Sequence, residues 1–430
     1  MFLTFKRTKM NRKTFFLSTL YLLFTLCAVT GPAHASAIKQ MYELSLPVAS
    51  QQKHIRTAAF EQGLIEVSMR VSGSSMAPTQ LDLSRASQMI SQYRYIGMSR
   101  AEIKAYMKQT ASAVRPRYKL WMKFDDAKVK QQLRSKGLPI WGYQRPGVLI
   151  WLAVKDGKNR YLLKRSDQSQ IKDAVEKEAR RRGLPIIWPE YDAEDKQQLS
   201  FIDVWGEFWE PLKQVSRRYA ADAILLGKMS WLNGSWQVNW SLQLEGKNES
   251  WQLSALDMGM ITSSGIGVAT DHISSRFAVY EGIENEGRLL LRVSDLSGVK
   301  AYAAASHYIA SLAPVKSVYT KEINPSQADF FLELNGDEND LKRIIALGRV
   351  LVPDNRPEIE PEILQNNASL DNTPENNISG NNTPGVNSQQ VNTQNAAEQN
   401  ASVTESVPTN PPVTEPPKKR AHVLRYRMNG

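Results

Sequence analysis

Hydrophobic and polar residues alternate with two different periods along residues 41–352. Alternation at every second position predicts strands over 41–48 and 118–124, and apolar residues at helical spacing predict a helix over 54–71 that ends at Gly73. The continuous apolar run 148–154 is typical of a central strand covered on both faces. This succession of strands and helices predicts a mixed α/β (α+β) fold with a mixed sheet.

Residues typical of helix starts and helix ends mark the boundaries of several helices in this pattern. Asp125 or Asp126 can cap a helix that stops at Gly137, and Asp167 with Gln170 has the spacing of a capping box. That second helix is expected to end at Gly183, where proline follows two residues later. Two further helices are predicted over 210–221 and 265–280.

A three-stranded antiparallel meander rich in tryptophan is predicted between those two helices. The strand 224–231 leads to Asn233-Gly234, which favours a type I′ hairpin, and a second turn is expected at Gly246-Lys247. After the hairpin, alternate residues share one face and are expected in the core: Trp236, Val238, Trp240, Leu242 and Leu244.

Composition divides the chain into five regions. We assign 1–35 to a signal peptide, 36–144 to an N-terminal α/β region and 145–282 to a central α/β domain with the meander. Residues 286–352 follow the β-α-β-β-α-β order of a small ferredoxin-like unit. Residues 353–430 are expected to form a disordered tail rich in Asn, Pro and Thr with a basic end, because 362–417 within it cannot bury enough apolar surface to fold.

The N-terminus has the three parts of a secretory signal peptide. Five cations, Lys6, Arg7, Lys9, Arg12 and Lys13, precede the apolar run 15–29, and Ala33-His34-Ala35 places cleavage before Ser36. The apolar run is shorter than the roughly 20 residues of a membrane span, so cleavage is favoured over an uncleaved inner-membrane anchor. The expected location is therefore the periplasm.

Export changes the charge and the available chemistry. The net charge of +11 includes five signal-peptide cations, so it falls to +6 after cleavage, and Cys27, the only cysteine, is lost. Thiol chemistry and disulfides are thereby excluded, and nucleic acid is not expected as a partner. The basic end could touch an anionic surface through Lys418, Lys419, Arg420, Arg425 and Arg427.

The sequence carries no complete set of catalytic residues. The five histidines lack ligand spacing, no Gly-x-Ser-x-Gly elbow occurs, and Gly265-Ile-Gly267 lacks the third glycine of a phosphate loop. We therefore expect neither a metal nor a cofactor. The remaining candidates are carboxylates at helical spacing beside two tryptophans, as in a sugar-binding cleft: Asp203, Glu207 and Glu210 with Trp205 and Trp209. The same acids would also favour the dipole of a helix start.

Three stretches together resemble an exported family of Gram-negative bacteria, the domain of unknown function numbered two-zero-six-six. They are the helix 56–73 ending in Arg-Val-Ser-Gly, the strand 145–154, and 218–227 with the meander after it. That resemblance implies a location but no reaction. More loosely, 147–255 is similar to the α/β domains of envelope-assembly lipoproteins and to the amino-terminal domain of TolB, which mediate protein contacts.

Two functional hypotheses follow. The first is a non-catalytic periplasmic protein that works through contacts with envelope proteins or in envelope assembly. The alternative is binding or hydrolysis of a glycan such as peptidoglycan through the cleft of Asp203, Glu207, Glu210, Trp205 and Trp209.

Overall fold

The computed structural model describes residues 40–110, 114–280, 289–357 and 423–429. The chain divides into one compact unit, Met1–Asp354 with His422–Gly430, and a second unit, Asn355–Ala421, of which only 355–357 are described. The described fold is a mixed α+β architecture with three sheets, which confirms the predicted fold class.

The first sheet is antiparallel and covered by one long helix. Its strands are β1 (Glu43–Val48), β2 (Ile90–Gly97) and β3 (Tyr118–Phe124), in the order β1-β3-β2. The helices of this region are α1 (Lys53–Ser72), α2 (Ala86–Met89), α3 (Arg100–Thr110) and α4 (Asp126–Ser135). As predicted, α1 ends at Gly73, which is left-handed with φ 76°, and the Asp125 side chain caps α4 by accepting from Lys128 N at 3.1 Å.

The second sheet holds the meander. Its strands are β4 (Val148–Asp156), β5 (Asn159–Leu162), β6 (Ile186–Ile187), β7 (Ala223–Leu232), β8 (Ser235–Leu244) and β9 (Lys247–Ala255), in the order β5-β4-β7-β8-β9 with β6 also on β4. β4 runs parallel to β7 and is buried over 148–154, as the apolar run predicts. Its helices are α5 (Gln170–Arg182), α6 (Ala193–Gln198), α7 (Phe201–Trp205), α8 (Trp209–Ser216) and α9 (Met258–Phe277).

Several predicted boundaries in this region hold and others are wrong. Asn233 and Gly234 both have positive φ, 51° and 79°, so the hairpin turn is confirmed. The cap of α5 is Ser169, which accepts from Lys172 N at 3.1 Å, instead of Asp167, which accepts from Lys164 N. α9 begins seven residues before the expected 265, because Asp257 caps it at Met258.

The third sheet follows the predicted β-α-β-β-α-β order with one added strand. The elements are β10 (Leu289–Ser294), α10 (Val299–Ser311), β11 (Val315–Asn324), β12 (Gln327–Leu334), α11 (Glu338–Gly348) and β13 (Leu351–Pro353). The last strand, β14 (Val423–Met428), lies between β10 and β13, in the order β11-β12-β10-β14-β13.

The strand β14 corrects the expectation that all of 353–430 lacks regular structure. It runs parallel to β10 and antiparallel to β13, and Leu424 and Tyr426 are buried. Leu424 and Tyr426 alternate with Arg425 and Arg427, so one face of the strand can join the core while the other stays polar.

Apolar cores lie on both sides of the second sheet. The larger one packs β4, β7 and β8 against α5 and α9 and continues to the third sheet, with Val238, Trp240 and Leu242 buried as predicted. The smaller one packs the opposite face of β4 and β7 against α7, α8 and Leu199, which follows α6. Among the described residues, no helix combines the length and the apolar character that a membrane span requires.

Candidate functional site

The predicted candidate residues lie along α7 and α8, on the side of the smaller core. Asp203 completes a capping box at the start of α7: its Oδ2 accepts from Ser200 N at 2.7 Å and from Ser200 Oγ at 2.6 Å. The first of these bonds satisfies a backbone N–H that the start of a helix leaves unpaired. In this structure, the Asp203 carboxylate therefore holds a helix end.

Glu207 and Glu210 have different partners. Glu207 has a left-handed backbone with φ 57°, and its Oε1 lies 2.5 Å from Lys228 Nζ on β7. Glu210 lies in the first turn of α8 with its side chain 91% exposed, 3.6 Å from Lys213 Nζ. The three acids thus lie on α7, on α8 and between them, and each is bound to a different group.

The predicted tryptophans are half-buried and pack against the smaller core. Trp205 stacks on Phe201, with ring centroids 5.4 Å apart and planes 20° apart, and Trp209 begins α8. Between them Phe208, which the sequence analysis did not single out, is 51% exposed. Phe201 of this stacked pair also lines the adjoining depression in the surface.

That depression, which we call the aromatic groove, is an open cavity of about 610 Å³ between β5 and the α6–α7 segment. Tyr161, Tyr191 and Phe201 supply its aromatic walls. The full lining comprises residues of β5, the loop after it, the residues just before α6, and α6–α7: Arg160, Tyr161, Leu162, Leu163, Lys164, Asp167, Gln168, Ser169, Tyr191, Lys196 and Phe201. Its size is that of a pocket for a ligand or a short peptide segment.

Positively charged side chains outnumber negatively charged ones in the aromatic groove. Arg160, Lys164 and Lys196 line it against a single acid, Asp167, whose Oδ2 already accepts from Lys164 N at 3.1 Å. The Lys196 ammonium lies 5.5 Å from the centroid of the Tyr191 ring, a cation–π distance. The groove therefore offers a net positive potential next to flat apolar faces.

A buried polar network supports the groove from behind. Asp195 is fully buried, and its carboxylate accepts from Tyr191 N at 2.9 Å, from Arg218 Nη1 at 3.0 Å and from the hydroxyl of Tyr219. Burial, together with the hydrogen bond to Asp195, raises the pKa of Tyr219. The network holds Tyr191 in its left-handed backbone, with φ 46°, and so fixes one wall of the groove.

Sequence reasoning missed Asp195, Arg218 and Tyr219 as a group. Arg218 and Tyr219 belong to the stretch 218–227, and Asp192 and Asp195 have the spacing of an N-cap and its third helical residue. The sequence contains no signal that these two segments contact each other. Asp192 caps α6 and also pairs with Arg218 through two bonds of 2.9 and 3.0 Å. That pairing lowers the pKa of Asp192 to about 2, chiefly through the hydrogen bond from Arg218.

The other predicted functional residues lie elsewhere. Arg425 and Arg427 belong to β14, while Lys418, Lys419, Arg420 and the cleavage site at Ala35 and Ser36 lie outside the described residues. In the part of the chain that the structure describes, no three His, Cys, Asp or Glu side chains form a group suited to a metal ion.

Comparisons with known proteins correct the expected family. A family model described as a domain of unknown function (DUF8605) matches residues 35–142, so the assignment to the family numbered two-zero-six-six is wrong. The motifs behind that assignment are a glycine-capped helix, a buried parallel strand and a meander, which many folds share. No curated protein matches the chain.

One solved structure that matches is the C-terminal domain of LpoB from Salmonella enterica. The identity is 15% over 30% of this chain and 92% of that chain, with a TM-score of 0.20. A TM-score at this level supports no argument about fold or function.

Proposed function

We propose that the protein is an exported, non-catalytic binding protein of the cell envelope, and that its aromatic groove binds an acidic segment of a partner protein. The observation that carries this proposal is the groove itself, where three cations and aromatic walls surround an open cavity of about 610 Å³. Carboxylates of a partner would pair with Lys164 and Lys196, and its apolar side chains would pack on Tyr161 and Phe201.

The rigidity of the groove supports binding. The buried bonds to Asp195 fix Tyr191 before any partner arrives, so less conformational entropy is lost on association. Aromatic residues with few rotatable bonds are enriched in protein interfaces for the same reason.

A second candidate is glycan binding, which the stacked pair Phe201–Trp205 favours because sugar rings pack on flat aromatic faces. Hydrolysis has less support. It requires two carboxyl groups that flank one glycosidic bond, whereas Asp203 caps α7, Glu207 pairs with Lys228 and Glu210 points to solvent.

A photo-crosslinking amino acid placed at Tyr161 tests the proposed partner in intact cells. We expect a crosslinked envelope protein whose band disappears in the double variant Lys164→Glu/Lys196→Glu. The same probe at Tyr319, which is 51% exposed on β11, is the matched control and should not capture that protein. A band that persists after charge reversal, or its complete absence at residue 161, would contradict the proposal.

The glycan alternative and the export step need separate measurements. Retention of the purified protein on peptidoglycan, lost in Phe201→Ala, would favour the glycan ligand over the acidic segment. N-terminal sequencing of the cellular form should begin at Ser36, since the signal-peptide pattern places cleavage there. A chain that retains residue 1 would instead support the inner-membrane anchor.

A further inference from the structure

Large apolar side chains are exposed together at one end of the second sheet, where β7 meets β8 and β9 meets α9. We call this group the apolar tip; its members are Trp231, Leu232, Leu256 and Met260, which are 45%, 51%, 79% and 65% exposed. Trp231 pairs with Trp236 across the hairpin, and Trp236 pairs with Ala255 on β9. Since neighbouring strands lie about 4.8 Å apart, the tip spans roughly 10 Å.

The two central residues of the hairpin turn are not members of this apolar group. The turn itself is made by Asn233 and Gly234, which take the positive φ angles that a type I′ turn demands. The ring centroids of Trp231 and Trp236 lie 5.5 Å apart, yet nearly half of Trp231 remains in water. Single exposed apolar residues are ordinary, whereas a group of them at one site marks an interaction surface.

Cations lie beside the apolar tip. β4 runs parallel to β7 with Lys155 next to Ser230, so the turn that follows β4 lies alongside Trp231 and Leu232. This turn region carries Lys155, Lys158 and Arg160, which form no ion pair within the described ranges. Acids also lie near this end: Asp156 and Asp173 are exposed, and Asp257 is engaged as the cap of α9, accepting from Met260 N at 2.6 Å.

We propose that the apolar tip inserts shallowly into the headgroup region of an anionic membrane, with Lys155 and Lys158 on lipid phosphates. The apolar side chains of the tip project from neighbouring turns, so they can enter a planar membrane surface together. The amphipathic indole of Trp favours the boundary between water and hydrocarbon. The flanking cations match anionic headgroups, and this match favours a lipid surface over an uncharged apolar pocket of another protein. The inference adds a location to the binding role of the aromatic groove and does not depend on it.

Vesicle co-sedimentation of the processed chain, purified from exporting cells, tests the proposal. We expect binding to vesicles with one third phosphatidylglycerol and weak binding to pure phosphatidylcholine. Leu232→Ser/Leu256→Ser should weaken binding to the anionic vesicles at least tenfold, since both side chains lose their contact with lipid. Lys155→Gln/Lys158→Gln should weaken it about fivefold for each cation and reduce its dependence on salt.

Matched controls separate the apolar tip from exposed apolar residues in general. Val299→Ser and Ile323→Ser alter side chains that are 83% and 56% exposed in the third-sheet region, and both variants should bind like the natural chain. Thermal unfolding of every variant should match the natural chain, because the altered side chains are exposed. Failure of the natural chain to bind anionic vesicles would overturn the proposal, as would undiminished binding by Leu232→Ser/Leu256→Ser.

Discussion

Trp240 packs its indole so closely on Gly265 that a Cβ added at residue 265 would lie 2.6 Å from Cε2 of the ring. From the side of the sheet, a Cβ at Gly227 would lie 2.7 Å from Cζ3 of the same ring. Trp240 is thus held between a strand glycine and a helix glycine and is almost fully buried. The absence of two side chains creates the space for one large one.

We predict that Gly265→Ala lowers the free energy of unfolding by about 1–3 kcal/mol, because the added methyl group overpacks the core. Gly267→Ala, on the same helix, is the matched control. A Cβ there would meet its nearest atoms at 3.7 and 3.8 Å, so the gain in helix propensity of about 0.5–1 kcal/mol should dominate. Urea unfolding should therefore give opposite signs for the two variants, and equal signs would contradict the packing argument.

Arg145 connects segments from three parts of the chain and gives a second prediction. Its buried guanidinium donates to five carbonyl oxygens, at distances from 2.6 to 3.2 Å: those of Arg70, Trp141, Gly142, Arg182 and Gly183. Arg145→Met leaves these acceptors buried without a donor, and we expect a loss of at least about 3 kcal/mol in the free energy of unfolding.

Arg180→Met provides the comparison for Arg145. The Arg180 side chain is 70% exposed and pairs with Glu176 at 3.2 Å one turn away, so its loss should change the free energy of unfolding by no more than about 0.5 kcal/mol. Urea unfolding of both variants measures the difference. Similar values would mean that the carbonyl bonds of Arg145 contribute little.

The sequence predicted the strands and helices with strong apolar periodicity, because a buried face leaves its period in the residues. It missed β2, whose residues are mostly exposed at the edge of the first sheet, and α3, whose surface is largely polar. The pattern in each is short: Ile103, Tyr106 and Met107 are the apolar stripe of α3, and Tyr93 and Tyr95 alternate with polar residues in β2. The strand β14 does alternate, but its place beside β10 is decided by contacts more than a hundred residues apart.

The candidate site was only partly predictable for a related reason. Asp203, Trp205 and Trp209 were found because they are close in sequence, and the structure places Asp203 at the cap of α7 and both tryptophans against the smaller core. The partners of Asp195 lie 23 and 24 residues further along the chain, at Arg218 and Tyr219. The aromatic groove likewise forms from β5 and α6–α7, which are separate in sequence. Its excess of positive charge could therefore not be predicted before the fold was known.

Acid should weaken the fold through Asp192. Its pKa falls from an ordinary value of 3.8 to about 2 when the chain folds, so the stabilisation by Arg218 is complete above about pH 4 and is lost as the pH falls toward 2. Asp192→Asn removes the charge but keeps a good helix cap. We predict that this variant is less stable than the natural chain at pH 7 and that the difference narrows between pH 4 and pH 2.

Urea unfolding at several pH values measures that difference. Glu210→Gln is the control, because its exposed side chain should leave the free energy of unfolding nearly unchanged at neutral pH. A gap between Asp192→Asn and the natural chain that stays constant down to pH 2 would show that the charge of Asp192 is not the cause.

The C-terminal strand gives the last prediction. Leu424 and Tyr426 are 5% and 6% exposed, and β13 is hydrogen-bonded to the sheet through β14. Truncation after residue 422 should therefore lower the free energy of unfolding by about 2–5 kcal/mol and speed amide exchange in β10 and β13, while β1 and β3 stay protected. Hydrogen exchange followed by mass spectrometry resolves these strands separately.

Two further samples decide whether the pairing itself is responsible. A synthetic peptide of residues 421–430 should restore protection in the truncated chain, and the same peptide with Leu424→Asp and Tyr426→Asp should not. Removal of residues 380–399 from the full chain should leave protection unchanged. Asp354 N donates to Arg425 O at 3.0 Å, so the ends of the intervening segment are already close and a shorter segment still spans them. Because loop closure depends only weakly on length, faster exchange in that deletion would mean that the segment 380–399 itself contributes to the third sheet.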